Sequence, residues 1–279
     1  EREAPCERRN GVGLALGPAF GTFAGGLLMA KLGWRLVFLL FGLVSALWLI
    51  PWLGMTRKAS IHADKPKAAS APSFRIILRQ RAMWGASLGH FCANYYFYFV
   101  IFWLPLYLVN ARGFSVAQMG VIGGVIYVVY AISAQLTGLA SDMWMRAGAS
   151  PNTVRKGFAV ASHLGGAISL LVCAVGGTTL SIAALFFAAI CFGFGTPTIF
   201  AIGQTLAGPR AAGKWVAVQN CIGNLAGIVG PAVTGFVVDR SGTFTSAFLI
   251  AGAVALMGVI GWGVIIPKVE PVDWSGSVG

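Results

Sequence analysis

Acidic residues are scarce in this chain, with eight Asp and Glu among 279 residues against twenty Lys and Arg. Charge of either sign is thin at 10%, where a soluble domain carries about a quarter. No carboxylate falls in the middle of a long apolar stretch, which removes the buried acid that a hydrolytic or metal centre needs. Gly85-Ala-Ser87-Leu-Gly89 fits the Gly-x-Ser-x-Gly pattern of serine hydrolases. That pattern gains meaning only on a strand-to-helix turn with a His and an acid in reach, and here it lies in an apolar run. His-Glu-x-x-His, a phosphate-cradling glycine loop and Cys-x-x-Cys are all missing. An enzyme is therefore not expected, nor a metal or other cofactor. Cysteine is sparse too: Cys92, Cys173, Cys191 and Cys221 sit inside apolar runs and only Cys6 lies outside one. They read as small apolar fillers and not as a disulfide framework. Glu1–Asn10 is charged with no apolar core beside it, so it does not read as a signal peptide.

What the chain does have is hydrophobic residues, 57% of the total, with a mean hydropathy of +0.78. A helix needs about 20 apolar residues to cross a bilayer. Eight stretches qualify: 11–30, 34–55, 83–109, 116–140, 157–176, 180–205, 215–238 and 244–267. The expected fold is all-α, a polytopic bundle of eight transmembrane helices. Trp34, Trp48, Trp52, Trp84, Trp103, Tyr107 and Trp262 lie near span ends, where amphipathic rings favour the headgroup layer. The net charge of +12 comes from basic residues between the spans, which fits orientation in a membrane and not nucleic-acid binding.

If the first span runs outward, only Lys31, Arg35, Arg112 and Arg240 of the twenty basic residues fall outside, leaving sixteen inside. Both termini are then cytoplasmic, in a multi-pass protein of the plasma (bacterial inner) membrane. The one long polar connection, 56–82, holds Arg57, Lys58, Lys65, Lys67, Arg75, Arg79 and Arg81 and separates two spans from six. Gly26-Leu-Leu-Met-Ala-Lys31-Leu-Gly33 resembles Gly235-Phe-Val-Val-Asp239-Arg-Ser-Gly242 at an offset of 209 residues. A Gly-Pro precedes each, at Gly17-Pro18 and Gly230-Pro231. Six-span repeats related by an axis along the membrane normal are a transporter design. The expected organisation is residues 1–55 as the last two helices of an N-terminal bundle and 56–82 as a cytoplasmic linker. Residues 83–267 follow as a complete six-helix bundle and 268–279 as a cytoplasmic tail. Four spans would then precede residue 1, making the chain a fragment. Gly17, Gly21 and Gly25, and later Gly223 and Gly227, form small-residue ridges suited to close helix packing.

Polar residues in mid-span are costly in hydrocarbon and tend to face a cavity or the bundle interior. Ser87, His90, Asn94 and Tyr98 share one helical face, as do Tyr127, Tyr130, Ser133 and Thr137. Thr196 and Thr198 flank Pro197, where a broken backbone is expected to expose carbonyl and amide groups. Asn220 and Asn224 lie one turn apart, and Asn both donates and accepts hydrogen bonds. The candidate substrate-binding residues are Asn220, Asn224, Asn94, Tyr98 and Thr196. Interhelical hydrogen bonding is the competing role for each of them, and packing the ordinary role of His90 and His163.

Several stretches together resemble the major facilitator superfamily, and within it the anion:cation symporter family of organic-acid carriers. Gly138-Leu-Ala-Ser-Asp142-Met-Trp-Met-Arg146 is similar to the superfamily's cytoplasmic loop motif. His90 to Tyr96, with Trp103-Leu-Pro105-Leu-Tyr107 and Arg112-Gly113-Phe-Ser115, resembles the seventh helix of those carriers. Ala207-Gly208-Pro209, Gly213-Lys-Trp, Asn220, Asn224, Gly227 and Pro231 resemble the eleventh. Glu7-Arg8-Arg9 and Gly33-Trp34-Arg35 are similar to the two ends of the fifth. The resemblance implies a monomeric secondary transporter that imports a small organic anion, such as a sugar acid or an aromatic carboxylate, by symport with a proton or other cation. It implies alternating access in the lipid bilayer, a gating role for Asp142 and Arg146, and charged substrate and proton sites in the absent helices. Gly13 to Gly21 also resembles the glycine-proline motif of drug–proton antiporters, with Thr22 breaking it, and a drug exporter is the alternative.

Overall fold

The computed structural model describes residue 28 and residues 32–59 and 71–274. The chain divides into two compact units, Glu1–Ala69 and Ser70–Gly279. The first predicted span, with Gly17, Gly21 and Gly25, lies outside the described residues. In the first unit, residues 32–46 are helical (α1) and Leu49–Ala59 form α2, joined by a turn at 47–48. Leu32–Thr56 is one stretch long and apolar enough to cross a membrane. Its Leu and Trp side chains and Phe38 are exposed, a surface that hydrocarbon suits and water does not.

The second unit is helical throughout its long elements and contains no strand among the described residues. A short α3 (Phe74–Leu78) leads into α4 (Arg81–Leu106), which ends in a π-helical turn, Tyr107–Ala111. α5 (Val116–Arg146) starts on a capping box, in which Ser115 and Gln118 each bond the other's backbone. α6 (Pro151–Val175) starts with Ser150 as N-cap and Pro151 in the first turn, where a missing N–H costs nothing. The connection expected over 141–156 is therefore only the four residues 147–150, because both helices extend well past their apolar cores. α7 (Thr178–Asn224), α8 (Ala226–Ser241) and α9 (Thr245–Ile260), with a final π-helical turn Gly261–Ile265, complete the bundle.

Helices α7 and α8 together cover the 64 residues Thr178–Ser241, which laid end to end at 1.5 Å per residue would be about three times the thickness of the hydrocarbon core. They cannot run straight, and they do not. Gly208 has φ 62 and ψ 175, a backbone region that only glycine adopts readily. Pro209 follows and pushes its predecessor out of the helical region. Gln219 donates to the Ile199 carbonyl at 3.2 Å and accepts from the Trp215 indole at 3.2 Å. Residues 178–207 and 209–224 thus fold back as an antiparallel pair. Counting them separately, the described residues hold seven membrane-length segments, at the places where spans two to eight were expected.

The break expected at Pro197 is absent, and the helix runs through it. Thr196 donates to Phe192 O at 3.2 Å, and Thr198 donates to Gly195 O at 2.7 Å. The backbone keeps helical angles through Pro197, so the turn does not open there as a broken helix would.

The bundle closes on small residues. A Cβ on Gly89 would collide with the Trp262 indole, and one on Gly261 would lie 2.8 Å from the Gly89 nitrogen. The Gly85-x-Ser87-x-Gly89 sequence is thus the contact face between α4 and the end of α9. Ser87 is buried and donates to the Met83 sulfur. At one end of the unit, Arg81, Arg155, Lys156 and Lys214 donate to the carbonyls of Val264, Ala201, Ile266 and Pro72. Residues 267–274 pack across that end: Val272 N donates to Leu206 O and the Trp274 indole to Ala207 O, both at 2.8 Å. At the other end Arg112 joins three helices, donating to Tyr107 Oη at 2.7 Å, Gly176 O at 2.6 Å and Ser181 Oγ at 2.9 Å.

Candidate substrate site

Three of the expected residues meet. The Tyr98 hydroxyl on α4 donates to Asn224 Oδ1 at 2.9 Å. Asn224 Nδ2 in turn donates to Asn220 O at 2.8 Å and to Asn220 Oδ1 at 3.0 Å. Glycine allows this closeness: a Cβ on Gly223 would lie 2.7 Å from the His90 ring, and one on Gly227 2.9 Å from the Tyr98 ring. Asn220 and Asn224 remain exposed although they lie near the middle of the segment 209–241. An exposed carboxamide at that depth fits a water-filled cavity and not lipid. Asn94 sits one turn from Tyr98, half-exposed, with no side-chain hydrogen bond to another described residue.

Thr196 lies in a second cluster. Its hydroxyl and that of Tyr130 on α5 are 3.2 Å apart. The clusters are linked by rings. Tyr98 touches Phe97 at 5.6 Å between centroids. Phe97 stacks on Phe192 at 5.2 Å and 5° between planes, and Phe192 meets Tyr130 at 5.1 Å. Phe97 and Phe192 were not anticipated, because a phenylalanine in an apolar helix carries no signal against lipid-facing ones. Tyr130 was noticed as part of a polar face. Its neighbours on that face serve the scaffold: Ser133 donates to Ile190 O at 2.7 Å and Thr137 to Ser133 O at 2.8 Å.

His90 and His163 are both buried. His90 is buried against Phe200 and Gly223. His163 is buried with its two nitrogens 2.8 Å from Ala159 O and 3.1 Å from Gly89 O, bridging α6 to α4. Asp142 and Arg146 occupy the last turns of α5, half-exposed and exposed, and make no ion pair with each other. A recess of about 420 Å³ along α5, α6 and α7 contains none of the expected substrate residues; Ser133 and Thr137 line it among mostly apolar side chains such as Val129, Leu136, Phe158 and Phe194.

Residues 9–213 match the sequence profile of the Major Facilitator Superfamily. The chain belongs to that superfamily. Its relatives are transporters and not enzymes. It is 27% identical to the hexuronate transporter of Bacillus subtilis (strain 168), over 96% of this chain and 67% of that protein. It is 31% identical to the probable galactarate/D-glucarate transporter of Escherichia coli (strain K12), over 71% of this chain and 44% of the relative. With the chloroplastic ascorbate transporter of Arabidopsis thaliana the identity is 25%, over 94% and 51%. The chain spans about half to two thirds of the length of such relatives. Among solved structures, the E. coli fucose:proton symporter superposes with a TM-score of 0.65 at 17% identity, over 94% of this chain and 70% of that one. That likeness concerns the fold alone.

Proposed function

We propose that the chain is part of a secondary transporter that imports a sugar acid or similar small organic anion by symport with a proton or other cation. The single observation carrying this reading is the exposed mid-span cluster of Tyr98, Asn224 and Asn220. Neutral donors and acceptors of this kind suit the hydroxyls of a sugar acid, while its carboxylate calls for a cationic partner elsewhere in the full protein. The relatives that carry hexuronate, galactarate or glucarate, and ascorbate support the substrate class. Asn94 and Tyr98 supply contacts from α4, Asn220 and Asn224 from the segment after Gly208, and Thr196 acts with Tyr130. Asp142 and Arg146 act as gating residues at the basic, cytoplasmic end, as the two bundles rock about the site.

Uptake of a panel of labelled acids by cells expressing the full-length protein tests the proposal. Accumulation of a sugar acid that collapses with a protonophore or on removal of the coupling cation is the expected result. Absence of any acid uptake, together with export of lipophilic cations, would overturn it in favour of a drug exporter.

A further inference from the structure

We propose that Phe97 is a stacking platform that selects the cyclic form of a sugar acid over an open-chain one. This rests on the sugar-acid reading above and names the form of substrate within that class. One face of the Phe97 ring lies on Phe192, nearly parallel at 5° and 5.2 Å. The ring is half-buried, so part of it stays open. It lies at the depth of Tyr98, its chain neighbour, whose hydroxyl is tied to Asn224. The Tyr98 ring itself lies 5.6 Å from the Phe97 ring, so the platform adjoins the polar cluster. On the far side of Phe192 stands the second polar pair, Tyr130 and Thr196.

The arrangement is an apolar flat surface with hydrogen-bonding groups at both edges. A pyranose ring has the complementary form, with C–H bonds clustered on one face and hydroxyls around the rim. An open-chain sugar acid offers no continuous apolar face, and several of its torsions must be frozen on binding. Sites of this kind combine aromatic surface with a few placed polar groups, and the aromatic part discriminates shape.

Competition against uptake by the full-length transporter tests the inference with two probes of equal charge. Methyl galactopyranosiduronate is locked as a ring, and galactonate is open. The locked ring should compete better, and Phe97→Ala should raise its apparent inhibition constant by about tenfold, the scale of one lost aromatic stack. Galactonate should be little affected. Phe97→Trp should keep the ring preference and Phe97→Leu, which preserves apolar volume, should lose it. Better competition by galactonate in the wild type, or equal losses for both probes in Phe97→Ala and Phe97→Leu, would overturn this inference while leaving sugar-acid transport standing. Failure of every sugar acid to be taken up would overturn both.

Discussion

Asn220 and Asn224 show what a single residue can reveal in a sequence of this kind. Carboxamides one turn apart in an apolar run are expensive, so their presence already points to a cavity or a partner. The structure gives them a partner, Tyr98, and leaves them exposed as well. Phe97 was invisible for the opposite reason, since its side chain pays no penalty anywhere in a membrane helix. Arg112 was read only as one of four outside charges, yet it holds the ends of α4, α6 and α7 together through the Gly176 carbonyl and Ser181. A cation at the carbonyl end of α6 is favourable, and hydrogen bonds from a charged donor contribute about 1.5–3 kcal/mol. Arg112→Gln should lower the thermal midpoint of the purified full-length protein while leaving the KM for substrate unchanged. A shifted KM with an unchanged midpoint would make Arg112 a substrate contact instead.

At the scale of elements, the apolar runs were legible because length and hydropathy alone specify a crossing helix. Their ends were less so. α5 runs to Arg146 and α6 begins at Pro151, since capping by Ser150 and not hydropathy decides where the helix starts. Pro197 was read as a break on the strength of proline chemistry, but the backbone stays helical through it. The reversal falls at Gly208-Pro209, where φ 62 and ψ 175 exclude a side chain. Gly208→Ala should cost about 1–3 kcal/mol of backbone strain and lower the yield of folded, detergent-extracted protein. Wild-type yield and midpoint would show that the turn tolerates another geometry. Asp142, near the end of α5, belongs to this scale too. Asp142→Asn should reduce the maximal transport rate far more than the KM, and a pure KM effect would make it a binding residue.

For the whole molecule, the division at Ala69–Ser70 falls within the basic connection that composition had marked. The packing of residues 267–274 over the Gly208 turn, which buries Trp274 against Trp215, was not legible, because a short polar tail carries no periodicity. Orientation rests on sixteen basic residues against Lys31, Arg35, Arg112 and Arg240. A cysteine placed at Ser70 should resist an impermeant thiol reagent applied to intact cells, and ready labelling there would reverse the assigned sidedness. The central claim is that the asparagine pair touches a sugar acid. Its most direct test is equilibrium binding of a labelled sugar acid to the purified full-length protein, wild type against Asn220→Ala and Asn224→Ala, with folded yield measured on the same samples. The account predicts affinity weaker by about 1–3 kcal/mol, the cost of a buried partner left unpaired, with yield preserved. Unchanged affinity in both variants, with yield reduced, would contradict it and make the pair part of the scaffold.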